Sequence, residues 1–441
     1  MLPATKLSFP AVISSLSLLG ALAGCGSSAV AALEEDCAAH QTAGCVVGSS
    51  SSRLVAPPAL LADVEILVHG NTAFAFDLYR EVAANPGNVF FAPFSVSESL
   101  AMTLAGARGA TESQMAAALH FDLSPCRLHT AFGALEASVA HPADPGKGSD
   151  GGAFHLDLAS ALFDQVGYPI AFPFLDTLAV DYGAQLHVVD FIGAPESARL
   201  AINTWMGDHS GHWIDSLLQP GSIPPTTRMV LGNAVYFSAA WKTPFTSADT
   251  RFAAFTRRDG AVVTVPTMTA TQNLAYGEGP GYSAVQLPYD AGDLSMILLL
   301  PPKGGLEALE SSLSPEQLTS IVAGLEKRTV SIELPTFKVE SSLRLADPLG
   351  RLGLTLAFSD AADFSGMSGT PGLSLHEVLH QSFVDVDEVG TEAAAVTQTT
   401  FTTTSAYLPA AIHFERPYLF LVRDGATGTI LFLGRVDDPS I

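Results

Sequence analysis

Near its C-terminus the chain reads Asp387-Glu388-Val389-Gly390-Thr391-Glu392-Ala393-Ala394-Ala395-Val396-Thr397. It then continues from Gln398 to Leu408 without a Gly, Pro, Lys or Arg. Every second residue from Thr391 is small and uncharged: Thr391, Ala393, Ala395, Thr397 and Thr399. Between them stand Glu392, Ala394, Val396, Gln398 and Thr400, with the segment's charge and its amide. Strand side chains alternate between two faces, so the segment can enter a sheet with its small face buried and its polar face outward. The same Thr-rich composition, poor in apolar bulk, also suits an exposed loop. The stretch combines the chemistry of a loop with the pattern of a strand.

Other stretches accompany it in order along residues 66–438. The first is Asn88 to Ser97, followed by Leu104 to Gly109, Gln114-Met115 and Leu119-His120-Phe121. Next come Asn233 to Phe237, Trp241 to Phe245 and Leu287-Pro288-Tyr289. Last are Leu334 to Lys338, Phe414 to Phe420 and Leu431 to Val436. Together these resemble the signatures of the serpins, suicide-substrate inhibitors of proteases, and the opening stretch resembles their reactive-loop hinge. The resemblance implies an α+β serpin fold: a helix-rich N-terminal part, a large central mixed β-sheet and an exposed reactive-centre loop. It implies a single-use inhibitor of serine or cysteine proteases rather than an enzyme, working as a monomer in a 1:1 covalent complex without a cofactor.

The ends and the composition set further bounds. The 441 residues carry a formal net charge of −23, which argues against nucleic acid as a partner because phosphate contacts need basic clusters. No apolar run in the body of the chain is long enough to span a bilayer. At the N-terminus Lys6 precedes an apolar run, Leu7 to Ala23, and Leu22-Ala23-Gly24-Cys25 closes it. That is a secretory pattern, and its end resembles a bacterial lipobox with Cys25 as the lipidated residue. Two or more acyl chains there would hold the protein on a membrane. With Gly26 rather than Asp after the cysteine, the outer membrane is the expected address, periplasmic or surface-exposed, with secretion as the alternative.

The expected domain plan is therefore a lipoprotein signal peptide over 1–24, a flexible tether over 25–65 and a serpin domain over 66–441. The tether is rich in Ala, Gly and Ser, with Ser49 to Ser52 in a row and Pro57-Pro58. As a coil of about 40 residues it would reach roughly 35 Å. Cys37 and Cys45 could close a small disulfide loop in an oxidising compartment, which would leave Cys126 as an inert thiol.

Within the body, Val68 to Ala84 carries apolar residues at helical spacing, and Ser95 to Ala107 is a second helix candidate. Thr111 with Gln114 three residues on is a capping-box pattern that predicts the start of a third. Pro142 to Gly152 reads as a loop. From residue 225 the texture changes to strands: Met229 to Phe237, Leu294 to Leu300, Val330 to Leu334, Phe383 to Val389, Tyr418 to Val422 and Ile430 to Val436. Helices first and strands later indicate α+β. Periodicity and length alone suggest two domains, whereas the resemblance implies one.

The resemblance also assigns roles. Glu388, Gly390, Thr391, Glu392, Ala393, Ala394 and Ala395 match the hinge, whose small residues let the cut loop enter the sheet. Counting from Thr391 places the scissile bond at Thr404-Ser405, and counting back from Pro417 gives Ala406-Tyr407. Elastase-like, subtilisin-like or chymotrypsin-like targets follow. Trypsin-like ones are disfavoured, because no Lys or Arg lies between Glu392 and Leu408. Ser95, Asn233 and His380 match a polar "shutter" beneath the sheet, with Ala92 where a further hydroxyl is usual. Trp241 and Glu388 match the entry point of the loop, and Thr336 stands where a basic partner for that acid is common. A non-inhibitory serpin, acting as a carrier or chaperone, is the alternative, although such hinges usually carry charge or Pro.

One motif points elsewhere. His376-Glu377-Val378-Leu379-His380 fits the H-E-x-x-H of zinc hydrolases. The segment runs into the alternating Ser382 to Asp387, and in a strand residues four apart are separated by roughly 13 Å. That is too far for one zinc with bonds of about 2 Å. No metal site is expected, and no G-x-S-x-G nucleophile elbow is present.

Overall fold

The computed structural model describes residues 43–54, 57–140, 146, 154–210, 217–391 and 409–441. Cys25, the signal peptide expected over 1–24 and Cys37 lie outside the described residues. So do Glu392 to Leu408, where the reactive bond is expected, and most of the loop expected at 142–152.

Among the described residues, seven strands form the first sheet. Its order is β1 (Val46–Val47), β4 (Leu186–Val189), β3 (His155–Gln165), β5 (Met229–Ala240), β13 (Gly390–Thr391), β12 (Leu375–Val386) and β11 (Phe337–Arg344). A second sheet runs β14 (Ala410–His413), β10 (Glu326–Pro335), β7 (Val262–Gly279), β8 (Tyr282–Pro288), β9 (Leu294–Leu300), β15 (Tyr418–Asp424), β16 (Ile430–Val436) and β2 (Val89–Phe91). A further strand, β6 (Arg251–Thr256), pairs with β7. Six helices matter for the site: α1 (Leu61–Val82), α2 (Pro93–Leu104), α3 (Gly109–Ala118), α4 (Pro125–Ala140), α5 (Phe172–Thr177) and α6 (Pro195–His209).

Burial explains which runs became inner strands. β9 and β16 are buried at every position, as expected of strands covered on both faces. β5 and β12 are almost as continuously buried, because α2 lies behind β5 while α6 packs on its other face. One apolar core joins the helices to both sheets, and a smaller cluster around Phe163, Ile202 and Met206 fills the space beneath α6. The whole side chain of Arg435 on β16 is buried. Its guanidinium donates to Glu310 (2.9 Å) and to the carbonyls of Ala83, Asn85 and Gly87, so the charge is fully engaged.

Several expectations need correction. The third helix begins at Gly109, not at a Thr111 cap, and its first residue follows Arg108 without a side-chain cap. Thr111 Oγ1 instead accepts from the Asp363 N–H (2.9 Å), and Gln114 Oε1 accepts from the Leu356 N–H (2.6 Å). Tertiary partners have claimed the groups that a capping box would use. β3 and β4 fall inside the part expected to be helix-rich, and β12 starts eight residues before Phe383.

Inside the stretch expected to be a flexible tether, residues 43–54 lie against the body. β1 pairs with β4, the Leu54 N–H donates to Val180 O (3.0 Å), and Arg53 is paired with Glu136. α1 begins at Leu61, also within that stretch. Cys45 and Cys126 are each disulfide-bonded, so Cys126 is not the leftover thiol.

Candidate functional site: a seam in the central sheet

β5 and β12 run parallel and pair from Met229↔Leu375 to Val235↔Ser382. Beyond that point they part, and β13 enters between them. Gly390 pairs with Ala240, while Thr391 pairs with Ala239 on one side and with Val386 on the other. Both pairings are antiparallel. The first two residues of the strand-like stretch thus already occupy the top of the seam.

The fit there is tight. A Cβ on Gly390 would lie 2.1 Å from the Ala239 carbonyl oxygen, so only glycine lets the chain pass. Thr391 is fully buried, and its hydroxyl is 2.8 Å from that of Tyr289. Tyr289 stacks on Trp241 at 4.6 Å, and the Trp241 indole N–H donates to Asp387 O (2.9 Å). The Trp241 backbone N–H donates to Val389 O (2.8 Å), so one residue fixes the approach of the chain from two sides. Asp387 Oδ1 accepts from the Val389 N–H (2.8 Å) and the Gly390 N–H (3.1 Å), shaping the turn into β13. The Glu388 carboxylate accepts from the Thr250 hydroxyl. Thr336 supplies no cation, and this hydroxyl is the partner that the structure gives the acid.

Lower down, the polar cluster spans the same seam. Ser95, Asn233 and His380 are all fully buried, and Asn233 and His380 are direct cross-strand partners. The Ala92 N–H donates to His380 Nε2 (3.0 Å), which fixes the tautomer, so Nδ1–H donates to Asn233 Oδ1 (2.6 Å). The Asn233 amide then points at the hydroxyls of Ser95 (2.6 Å), Ser99 (2.9 Å) and Ser160 (2.9 Å). Burial lowers the His380 pKa to about 3, so the imidazole is neutral at pH 7.

The structure brings Ser95, Asn233 and His380 into one hydrogen-bonded cluster and adds Ser99 and Ser160, which sequence reasoning missed. Ser99 was findable, since it stands four residues after Ser95 and shares its helix face. Ser160 is reached only through the β3–β5 register, in which it opposes Asn233. Ala92 joins the network through its backbone N–H alone. Thr404, Ser405, Ala406, Tyr407, Glu392, Ala393, Ala394 and Ala395 fall outside the described residues.

The zinc motif dissolves on inspection. His376 to His380 lie on β12, Glu377 accepts from Arg344 Nε (2.7 Å) and the Ala346 N–H (3.0 Å), and His380 is committed to Asn233. Among the described residues no His/Cys/Asp/Glu group could hold a metal ion.

Residues 69–439 match the family model described as serpin (serine protease inhibitor). The chain is 37% identical over 387 residues to the leukocyte elastase inhibitor of Bos taurus, covering 85% of this chain and all of that protein. It is 36% identical over 376 residues to an uncharacterized serpin-like protein of Thermococcus kodakarensis, covering 85% and 86% of the two chains. Among solved structures, the native state of the thermophilic serpin tengpin aligns with a TM-score of 0.78 at 26% identity, covering 89% of this chain and 99% of that one. Human thyroxine-binding globulin complexed with thyroxine also aligns with a TM-score of 0.78, at 27% identity over 86% of this chain and 100% of that one.

The neutral histidine has a measurable consequence. Its folded pKa is depressed, so its contribution to stability is full above about pH 6.5 and is lost as the pH falls toward 3, at about 1.4 kcal/mol per unit. His380→Gln can keep both hydrogen bonds without a titrating group. Urea unfolding at pH 7 and pH 5 should show the wild-type advantage over this variant shrinking by about 2 kcal/mol. A gap independent of pH would mean that His380 is not neutral in the fold.

Proposed function

The chain belongs to the serpin family, and from that premise we propose that it is an inhibitory serpin that traps serine or cysteine endopeptidases by inserting its cut loop into the β5–β12 seam. The observation that carries this reading is the placement of Gly390 and Thr391 between the parting ends of β5 and β12. A strand continuing from them would replace one parallel ladder by two antiparallel ones, and antiparallel pairing is the slightly more stable kind. Roughly 14 inserted residues would form a strand of about 46 Å. Each would add main-chain hydrogen bonds on both sides. A protease still acylated to the cut loop would be carried along that distance before water could release it.

The small side chains of Ala393, Ala394 and Ala395 suit such passage, since a buried charge without a partner is costly. The reactive bond in this reading is Thr404-Ser405, with Ala406-Tyr407 as the alternative register. The elastase inhibitor among the relatives supports elastase-like targets, and subtilisin-like and chymotrypsin-like proteases fit the same loop. A second reading, a non-inhibitory binding serpin, draws on the likeness to thyroxine-binding globulin. Such a protein would be cut without trapping its protease.

Mixing the protein with elastase, subtilisin or chymotrypsin should give a covalent complex that survives SDS, and a released C-terminal peptide beginning at Ser405. Clean cleavage by all three without any complex would instead favour the binding reading. Thr391→Arg would force a charge into a fully buried position, so complex formation should fall at least roughly tenfold while cleavage persists. Undiminished trapping by this variant would rule out insertion through Thr391.

The localisation we propose is the bacterial envelope, with the protein anchored by lipid on Cys25 and carried in the outer membrane. The disulfide-bonded states of Cys45 and Cys126 fit an oxidising compartment of this kind. Cys25→Ser should move the protein from the membrane to the soluble fraction on cell fractionation. Retention on membranes would reject the lipid anchor.

A further inference from the structure

A cavity of about 380 Å³ lies beside β3, away from the loop-entry point. β3 pairs with β5 from His155 to Asp164, but with β4 only from Leu162 to Gln165. Its N-terminal half, Leu156 to Ser160, lines the cavity. The floor is Glu98 on α2, which is 3% exposed and whose Oε1 has no hydrogen-bond partner. Glu136 on α4 also lines the space, paired with Arg53 from the docked N-terminal segment, and Asp157 stands exposed on β3. Glu98 and Glu136 share that guanidinium, while Asp157, six residues before Phe163 on β3, brings a third carboxyl to the lining from the α6 side.

The opposite wall is aromatic. Trp205 and His209 on α6 stack at 4.4 Å, and the His187 ring lies 6.1 Å from that of Trp205. Burial, reinforced by the nearby His209, holds the His187 pKa below its ordinary value, so this ring is not a competing charge. Aromatic faces attract cations, and a buried carboxyl oxygen without a partner is a costly group awaiting a donor. The volume is that of a small-molecule site rather than of a bound water.

We propose that this cavity binds a small organic cation, an ammonium group on an apolar body, with Glu98 as its anchor and Trp205 as its lid of π-density. Burial, with Glu136 beside it, pushes the Glu98 carboxyl well above the usual carboxylate range, which favours its protonated form in the empty site. The ammonium displaces that proton to solvent and donates to the carboxylate in its place. Ser160 lines the same cavity and hydrogen-bonds Ser99 (2.8 Å) and Asn233 (2.9 Å), so the bound cation sits next to the network that spans the seam. Binding itself does not depend on the inhibitory reading, and it is measured without a protease.

Benzylamine is the probe, titrated into the full-length protein by calorimetry to about 10 mM, with benzyl alcohol as the uncharged control. The expected result is one site per chain for the amine, proton release that makes the heat depend on the buffer, and no binding of the alcohol. Glu98→Gln should weaken the amine at least tenfold. Asp157→Asn, at an exposed position that does not threaten folding, should weaken it two- to threefold or more. No binding of the amine, equal binding of the alcohol, or affinity unchanged in both variants would overturn the proposal.

Discussion

The parallel ladder between β5 and β12 is the constraint on which the rest of the sheet depends. Parallel pairs are the less stable kind, and these two strands stop pairing at Val235↔Ser382, short of the point where β13 lies between Ala239 and Val386. Below that point the main-chain ladder is reinforced by a side-chain bond, His380 Nδ1–H to Asn233 Oδ1 at 2.6 Å, between residues that oppose each other across the seam. Opening the sheet must break that bond while both groups are out of reach of water. The seam is therefore closed by a small number of strong, buried bonds rather than by bulk packing alone.

That arrangement requires complete satisfaction of the groups beneath it. Asn233 offers two amide hydrogens to three hydroxyls on two elements, Ser95 and Ser99 on α2 and Ser160 on β3. Hydroxyls rotate and can donate or accept, so three of them can share one amide without leaving a lone pair exposed to apolar surroundings. His380 must be neutral to accept from the Ala92 N–H and donate to Asn233 at the same time. A protonated imidazole would lose its acceptor and set two donors against each other. The backbone N–H of Ala92 closes the chain of bonds at His380, so the network does not depend on a side chain at position 92 for this contact.

What could be read from the sequence follows from how burial is distributed. β9 and β16 were legible to the residue because they are buried throughout and flanked by breaks. β3 was not: its first half alternates and its second half is continuously buried, so neither strand template fits its whole length. The start of β12 was hidden because Glu377, His380, Gln381 and Ser382 interrupt an apolar run while being buried themselves. The same interruption produced the H-E-x-x-H coincidence. Within the site, Gly390, Thr391, Trp241, Ser95, Asn233 and His380 were identifiable, whereas Thr250, Tyr289 and Ser160 acquire their roles only through tertiary contact.

The geometry at Gly390 ties the hinge to the seam in a way that composition alone does not. The carbonyl of Ala239 is so near that any side chain at 390 would have to push β5 aside. Directly after it, Thr391 shares a hydrogen bond with Tyr289, a hydroxyl whose pKa burial pushes upward and which therefore keeps its proton. The glycine removes the steric obstacle to entry, and the threonine gives the first inserted side chain a polar partner inside the core. In the proposed insertion, further entry would require β5 and β12 to separate pair by pair, beginning at Val235↔Ser382 and reaching Asn233↔His380 two positions later. The polar lock is the third of the seven pairs that would have to separate, so in the proposed insertion the step that commits the sheet to opening lies in the upper part of the seam.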